Sequence, residues 1–179
     1  ITNSTIAGNS YDGVYTFGGP EDTVTASVTY TNFSNNTGYG ILAYYHKGSL
    51  TLENNTFTNN RNGAISIDWN STLTLGLLNN SGTGNGNNSV YLSGTANNDL
   101  SLPGNSGMPY WLSYISIPSG KTLTIQPGAV VKLSGSVYVE GTLSVPGTAT
   151  NPVTFTSYND DSVGGDTNND GNATSPAKG

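Results

Sequence analysis

Three stretches decide the fold: Ile6-Ala7-Gly8-Asn9-Ser10-Tyr11-Asp12-Gly13-Val14, Phe33-Ser34-Asn35-Asn36-Thr37-Gly38-Tyr39-Gly40-Ile41 and Phe57-Thr58-Asn59-Asn60-Arg61-Asn62-Gly63-Ala64-Ile65. Each sets an apolar residue, an Asn three positions later and a second apolar residue five beyond that. Val90 continues the last column, so Val14, Ile41, Ile65 and Val90 recur at spacings of 27, 24 and 25. Two residues further on stand Thr16, Ala43, Ile67 and Leu92, and a period of two is that of a strand with one face turned inward. A self-similar period in the range of about 20–50 residues is the mark of a repeat architecture.

The pattern extends outward from these stretches. Val28 with Tyr30, Leu50 with Leu52 and Leu73 with Leu75 supply further i, i+2 pairs in the first half. The second half repeats in another form, with Ile115/Ile117, Leu123/Ile125, Val131/Leu133, Val137/Val139, Leu143/Val145 and Val153/Phe155. Every third pair recurs at 22, 20 and 22 residues, which predicts three short strands per turn of a coil. Helix is opposed by the 24 Gly, 24 Asn, 24 Thr and 21 Ser that make up about half of the 179 residues. The predicted fold class is all-β, a parallel β-solenoid. Residues 1–99 form an Asn/Gly-cornered segment, 100–118 a junction marked by Pro103-Gly104, Gly107 and Pro109, and 119–179 a second segment.

Asn9, Asn36 and Asn60 share one phase, and equivalent corners of a solenoid lie about 4.8 Å apart. At that spacing stacked amides donate to one copy and accept from the next, which predicts an Asn ladder. Gly13 and Gly40, four residues later, are expected to take a left-handed corner where a Cβ would clash.

Composition excludes several classes of function. Five Lys+Arg against eleven Asp+Glu leave a net charge of −6, the wrong sign for nucleic acid, which needs a basic stripe. No apolar run approaches the roughly 20 residues of a membrane helix. The absence of Cys removes disulfides, thiolate metal sites and cysteine nucleophiles together. Asn-x-Ser/Thr sequons at Asn3, Asn32, Asn35, Asn54, Asn70, Asn79, Asn87 and Asn172 are compatible with a secreted or cell-surface location, although an Asn- and Thr-rich chain produces several by chance.

On these motifs the chain resembles the right-handed parallel β-helix repeat family of secreted and cell-surface bacterial and archaeal proteins. The stretches STIAGNSYDGV, TNFSNNTGYGI and LTLENNTFTNNRNGAI look like the Asn-Gly turns of those repeats. SGKTLTIQPGAVVKL, VEGTLSVPGTATNPVTFTS and DDSVGGDTNNDG are similar to segments of large β-helix proteins. The resemblance implies right-handedness and an extracellular location. It implies no single activity, because pectate lyases, glycosidases, adhesins and spike proteins share that scaffold.

Asp160-Asp161-Ser162-Val163-Gly164-Gly165-Asp166-Thr167-Asn168-Asn169-Asp170-Gly171 contains D-x-N-x-D-G. Calcium takes six to eight oxygens, so Asp160, Asp161, Asp166, Asn168 and Asp170 are expected ligands of a structural calcium. The bidentate Glu of a helix-loop-helix site is missing, and the competing reading is a solvated acidic turn. Eleven Tyr and two Trp against four Phe favour rings with a polar edge. Tyr15, Tyr44, Tyr45, Trp69 and Tyr91 form a candidate outward row for stacking on sugar rings, the alternative being cross-rung packing. Thr29, Thr51, Thr74 and Thr124 also face outward, and a Thr ladder would order ice-like water. His46, Lys47 and Asp68 fall at comparable points after successive strands, but no second carboxylate accompanies Asp68, and catalysis is not expected.

Neither end reads as capped, since Ile1 begins in repeat phase and the acidic loop follows the last strand pair directly. The expected function is an extracellular structural or adhesive β-solenoid, calcium-stabilised. It stacks end to end with copies of itself, or runs within a longer array, through Ile1, Ile6, Val153 and Phe155. The competing class is a carbohydrate-binding or polysaccharide-degrading module.

Overall fold

A computed structural model describes residues 1–19, 22–45, 47–70, 72–171 and 173–176. Among the described residues the regular structure is all strand. The first turn of the coil holds β1 (Thr5–Ala7), β2 (Val14–Phe17) and β3 (Val24–Thr29), and the second β4 (Asn32–Ser34), β5 (Tyr39–Tyr44) and β6 (Gly48–Glu53). The third holds β7 (Thr56–Thr58), β8 (Gly63–Trp69) and β9 (Leu73–Leu78), and the fourth β10 (Ser81–Thr83), β11 (Val90–Thr95) and β12 (Leu100–Leu102). Then come β13 (Tyr110–Ile117) with β14 (Thr122–Ile125), β15 (Val130–Leu133) with β16 (Val137–Val139) and β17 (Thr142–Ser144), and finally β18 (Thr154–Ser157).

Every ladder is parallel, and about six turns stack into a solenoid. One wall is the short sheet β1-β4-β7-β10. The longest wall runs β2-β5-β8-β11-β13-β15-β18, with β3-β6-β9 and β12-β14-β17 completing the coil. The predicted columns hold: Val14 pairs Ile41, Ile41 pairs Ile65 and Ile65 pairs Val90, and the Thr16-Ala43-Ile67-Leu92 column is in register beside them. Ile41, Ile65, Ile67, Val90 and Leu92 are fully buried, and full burial of such a side chain contributes about 1.5–3 kcal/mol. Phe33 and Phe57 stack inside the coil with ring centroids 5.0 Å apart and planes 9° from parallel.

The Asn ladder forms and is longer than the sequence pattern indicated. Asn36 Oδ1 accepts from Asn9 Nδ2 at 2.8 Å, Asn60 Oδ1 from Asn36 Nδ2 at 2.8 Å and Asn85 Oδ1 from Asn60 Nδ2 at 2.8 Å. A second ladder runs on the other side of the short sheet. There Asn55 Oδ1 accepts from Thr31 N, and Asn80 Oδ1 accepts from both N and Nδ2 of Asn55.

The left-handed corners lie elsewhere than expected. Gly13 and Gly40 have no positive φ; the residue just before each ladder position does, as Gly8 (70°), Asn35 (56°), Asn59 (53°) and Gly84 (65°). Asn tolerates that backbone because its short polar side chain satisfies it locally. Gly13 and Gly40 are small for a different reason. A Cβ on Gly13 would stand 2.7 Å from Gly40 O and 2.8 Å from Phe33 Cδ1, and one on Gly40 would stand 2.4 Å from Phe57 Cδ1 and 2.9 Å from Ala64 O.

Four other expectations need correction. Tyr30 is not the inward partner of Val28: its φ of 51° throws it outward at a corner, and the buried columns are Ala26-Leu50-Leu75 and Val28-Leu52-Leu77. Leu73 accordingly pairs Gly48 instead of Leu50. Val131 pairs Phe155, not Val153, because the corner after β17 is longer and is closed by the Thr148–Asn151 turn. The stretch 100–118 does not interrupt the coil, since β13 pairs β11 and β14 pairs β12 across it. Thr29, Thr51 and Thr74 fall in three different columns, facing Glu53, Gly76 and Ser49, so they make no common Thr ladder.

Candidate functional site

Outward residues of the long sheet make a single column: Tyr15, Leu42, Ser66, Tyr91, Trp111, Lys132 and Thr156. Strand alternation aims all of them away from the core. Lys132 is nevertheless fully buried. The chain after β18 turns back and lies across this face as a strap over residues 158–171. Lys132 Nζ donates to the carbonyls of Asp160 (2.8 Å) and Gly165 (2.6 Å). Further along, Asn88 N donates to Thr167 O at 2.8 Å and Asn88 Nδ2 to Asp166 O at 2.9 Å, tying the strap to the fourth turn. Tyr158 stacks on Trp111 with centroids 4.2 Å apart, and Trp111 lies 4.5 Å from Tyr91.

Burial lowers the affinity of the Lys132 amine for its proton, and the carboxylates of Asp161, Asp160 and Asp166 oppose that shift. Burial likewise pushes the Tyr158 hydroxyl up to about 12, with Tyr39, Asp166 and Asp170 adding to it.

The strap gathers three of the expected metal ligands. Oxygens of Asp161, Asp166 and Asp170 all lie within 4.8 Å of one another. Two oxygens on opposite sides of a calcium, each 2.3–2.6 Å from it, stand about 5 Å apart, so the cluster is of the right size. Asn168 Oδ1 is closed off from solvent and has no hydrogen-bond partner. Desolvation, then Asp166 and Asp170, raise the Asp161 carboxyl above its ordinary range. Asp160 stands apart from the cluster: its carboxylate accepts from Ser162 N, Ser162 Oγ and Thr156 Oγ1, and so braces the turn into the strap.

The candidate aromatic row divides in two. Tyr15, Tyr44 and Tyr45 are exposed and belong to one cluster with Phe17, which lies 6.4 Å from Tyr15 and 6.3 Å from Tyr44. Tyr11, Asp12, Tyr15, Leu42 and Tyr44 line a shallow groove of about 460 Å³ there. Tyr91 belongs to the second cluster, under the strap. Trp69 belongs to neither, being a core residue only 1% exposed at the end of β8. The sequence pattern missed Phe17, Trp111, Lys132 and Tyr158; a signal for the middle two was their place one and two turns beyond Tyr91.

Asp68 is half-buried and accepts a hydrogen bond from Asn70, while desolvation raises its carboxyl. His46 lies outside the described residues, so the grouping of His46, Lys47 and Asp68 gains no geometry. At the two ends of the coil, Ile1 and Phe155 are 54% and 43% exposed, and Ile6 and Val153 pack half-buried against the core. No helix among the described residues is long and apolar enough to cross a membrane.

Parallel ladders, stacked amides and short strands turning through corners define the class as a β-solenoid. The chain belongs to the right-handed β-helix family: the family model described as right handed beta helix region matches residues 1–105. Comparison with curated proteins and with solved structures returns no match.

Proposed function

We propose that the protein is a structural rod module of the cell exterior, extended by further rungs of the same coil. The observation that carries this reading is the contrast within single columns. Ile117 and Ile125 are fully buried, whereas Val139, paired to Ile117, and Val145, one turn beyond Ile125, are 46% and 40% exposed. A rung laid on them, from a neighbouring copy or from further along the same polypeptide, buries those side chains and pairs the free edges of β16, β17 and β18. Such a contact is directional and heterologous, so it propagates. Electron microscopy of the purified chain across a concentration series tests the version in which copies meet. Filaments whose length grows with concentration and that are lost in Val145→Lys support it; short particles of constant length at every concentration overturn it.

The groove at Tyr11, Asp12, Tyr15, Leu42 and Tyr44 favours a second reading, a site for polysaccharide. Exposed rings stack on the apolar faces of sugars while Asp12 supplies a polar edge. Saturable binding to a glycan panel, lost in Tyr44→Ala, supports this, and absence of binding at millimolar sugar overturns it. Neither reading gives Asp68 a catalytic role.

A further inference from the structure

We propose that the C-terminal strap is a calcium latch, held closed over the outer face of the long sheet by a cation bound between Asp161, Asp166, Asn168 and Asp170. This goes beyond the rod reading and does not depend on it. The cluster brings three carboxylates to within 4.8 Å of one another. A second observation comes from atoms that make no protein bond. Both carboxylate oxygens of Asp161, and Oδ1 of Asn168, are shut off from water without a hydrogen-bond donor. Buried acceptors of this kind call for a partner, an ion or an ordered water, and three of them converge at this cluster.

The other two carboxylates are oriented by backbone amides of the strap and of the residues just after it, and Asp170 also accepts from Asn168 Nδ2 at 2.8 Å and from Thr174 Oγ1. Asp166 accepts from Asp170 N at 3.1 Å and Gly171 N at 3.0 Å, and Asp170 accepts from Ala173 N at 2.9 Å and Thr174 N at 3.0 Å. Lys132 is the one cation buried under the strap among the described residues, and its ammonium donates to two carbonyls instead of to these carboxylates. The three carboxylates of the cluster, with that of Asp160 nearby, outnumber the single positive charge of Lys132, and a divalent ion offsets part of that excess. The donor set is all oxygen, so a hard cation fits it and a thiophilic one does not.

The location gives the ion a task. Asp161 lies between the two residues whose carbonyls Lys132 holds, and Asp166 is one of the two that Asn88 holds, so a bound ion joins Asp161 to the Asp166–Asp170 turn and closes the strap on itself. Closed, the strap keeps Tyr158 on Trp111 and shields the second aromatic cluster. Without the ion, the mutual repulsion of the three carboxylates opposes closure, and Trp111 becomes accessible.

The experiment uses the whole chain, stripped with a chelator, dialysed and titrated with calcium chloride at fixed ionic strength. Calorimetry reads binding, and hydrogen exchange reads the amides of Asn88, Asp170 and Gly171. The expected result is one calcium per chain, with exchange at those amides slowed at least tenfold while Ile65–Ile67 in the core are unchanged. Asp161→Asn is expected to weaken calcium binding at least tenfold and to abolish the slowing. Its core protection stays as in the wild type, because the Asp161 carboxylate makes no hydrogen bond whose loss would unfold the coil. Glu140→Gln serves as the charge control and should bind as the wild type does. Absence of calcium binding by the stripped wild type overturns the proposal, as does unchanged affinity in Asp161→Asn or binding that leaves the strap amides exchanging as before. Particle length at constant calcium tests the rod reading separately.

Discussion

The first four turns and the last two are built on the same coil but close it by different means. In the early turns one corner is fastened by the Asn9-Asn36-Asn60-Asn85 stack and a second by Asn55 on Asn80, and Asn36, Asn60 and Asn85 are at most 1% exposed. In the later turns the corners are Gly120, with φ of 76°, and Gly128, with φ of 87°, while the side chain at the neighbouring corner, Gln126, makes an exposed bond to Ser101. Those later turns have instead a strap laid along the outside, with Lys132 beneath it. Burial differs accordingly: Phe57 is sealed between rungs and Phe155 is 43% exposed. A rung in a solenoid is stabilised by its nearest neighbours, so equal sequence patterns give unequal stability according to what lies above, below and outside.

Five substitutions, taken in three comparisons, break or sharpen this contrast. The largest effect is expected at the stacked rings: Phe57→Ala should lower unfolding stability by about 3–5 kcal/mol, whereas Phe155→Ala, already half in water, should cost under about 1 kcal/mol in denaturant titration. Equal losses at the two positions would mean that the last turn is as tightly packed as the third. Next come the corners. Asn60→Ala removes an amide that accepts from Asn36 and donates to Asn85 and to Phe33 O, leaving several buried groups without partners. At about 1–3 kcal/mol for a stranded group, a loss of roughly 3 kcal/mol is expected. Gln126→Ala should stay within about 0.5 kcal/mol, and thermal unfolding of both variants measures the difference.

The third comparison concerns Gly40→Ala, which probes why that position in β5 is small. Its added methyl meets Phe57 Cδ1 and Ala64 O, so a loss of about 1–3 kcal/mol from overpacking is expected. In the Phe57→Ala background the Phe57 overlap vanishes while the contact of 2.9 Å with Ala64 O stays, so the penalty should fall without disappearing. A penalty that persists unchanged in the double mutant would assign the glycine to backbone geometry instead.

Much of the coil was legible because a solenoid repeats its environment, and a repeated environment selects a repeated residue. Asn36 and Asn60 were readable as a ladder because each sits in the same phase as its apolar neighbours. Asn85 was harder to see, since Gly82 stands where Phe33 and Phe57 mark the earlier turns. Trp69 does not belong to the outward row: β8 runs on to it, and it continues the inward phase of Ile65 and Ile67, so alternation carried to the strand's end puts its ring in the core. Asp160 adjoins the other acidic residues in sequence, but the oxygens that come within 4.8 Å of one another are those of Asp161, Asp166 and Asp170, while the Asp160 carboxylate faces Ser162 and Thr156. Lys132 gave no sign of its burial, because the group that covers it is about 30 residues away in sequence.

The sequence by itself determined the all-strand coil, its period, the register of the Val14-Ile41-Ile65-Val90 column and the acidic segment, since each is written in local alternation or in a repeat that needs no knowledge of distant contacts. Only the tertiary structure decided where that acidic segment goes, which of its carboxylates converge, that the aromatic row divides in two, and which glycines serve φ and which serve a neighbouring ring. Those outcomes depend on side chains from different turns meeting in space, and no single stretch of the chain encodes such a meeting.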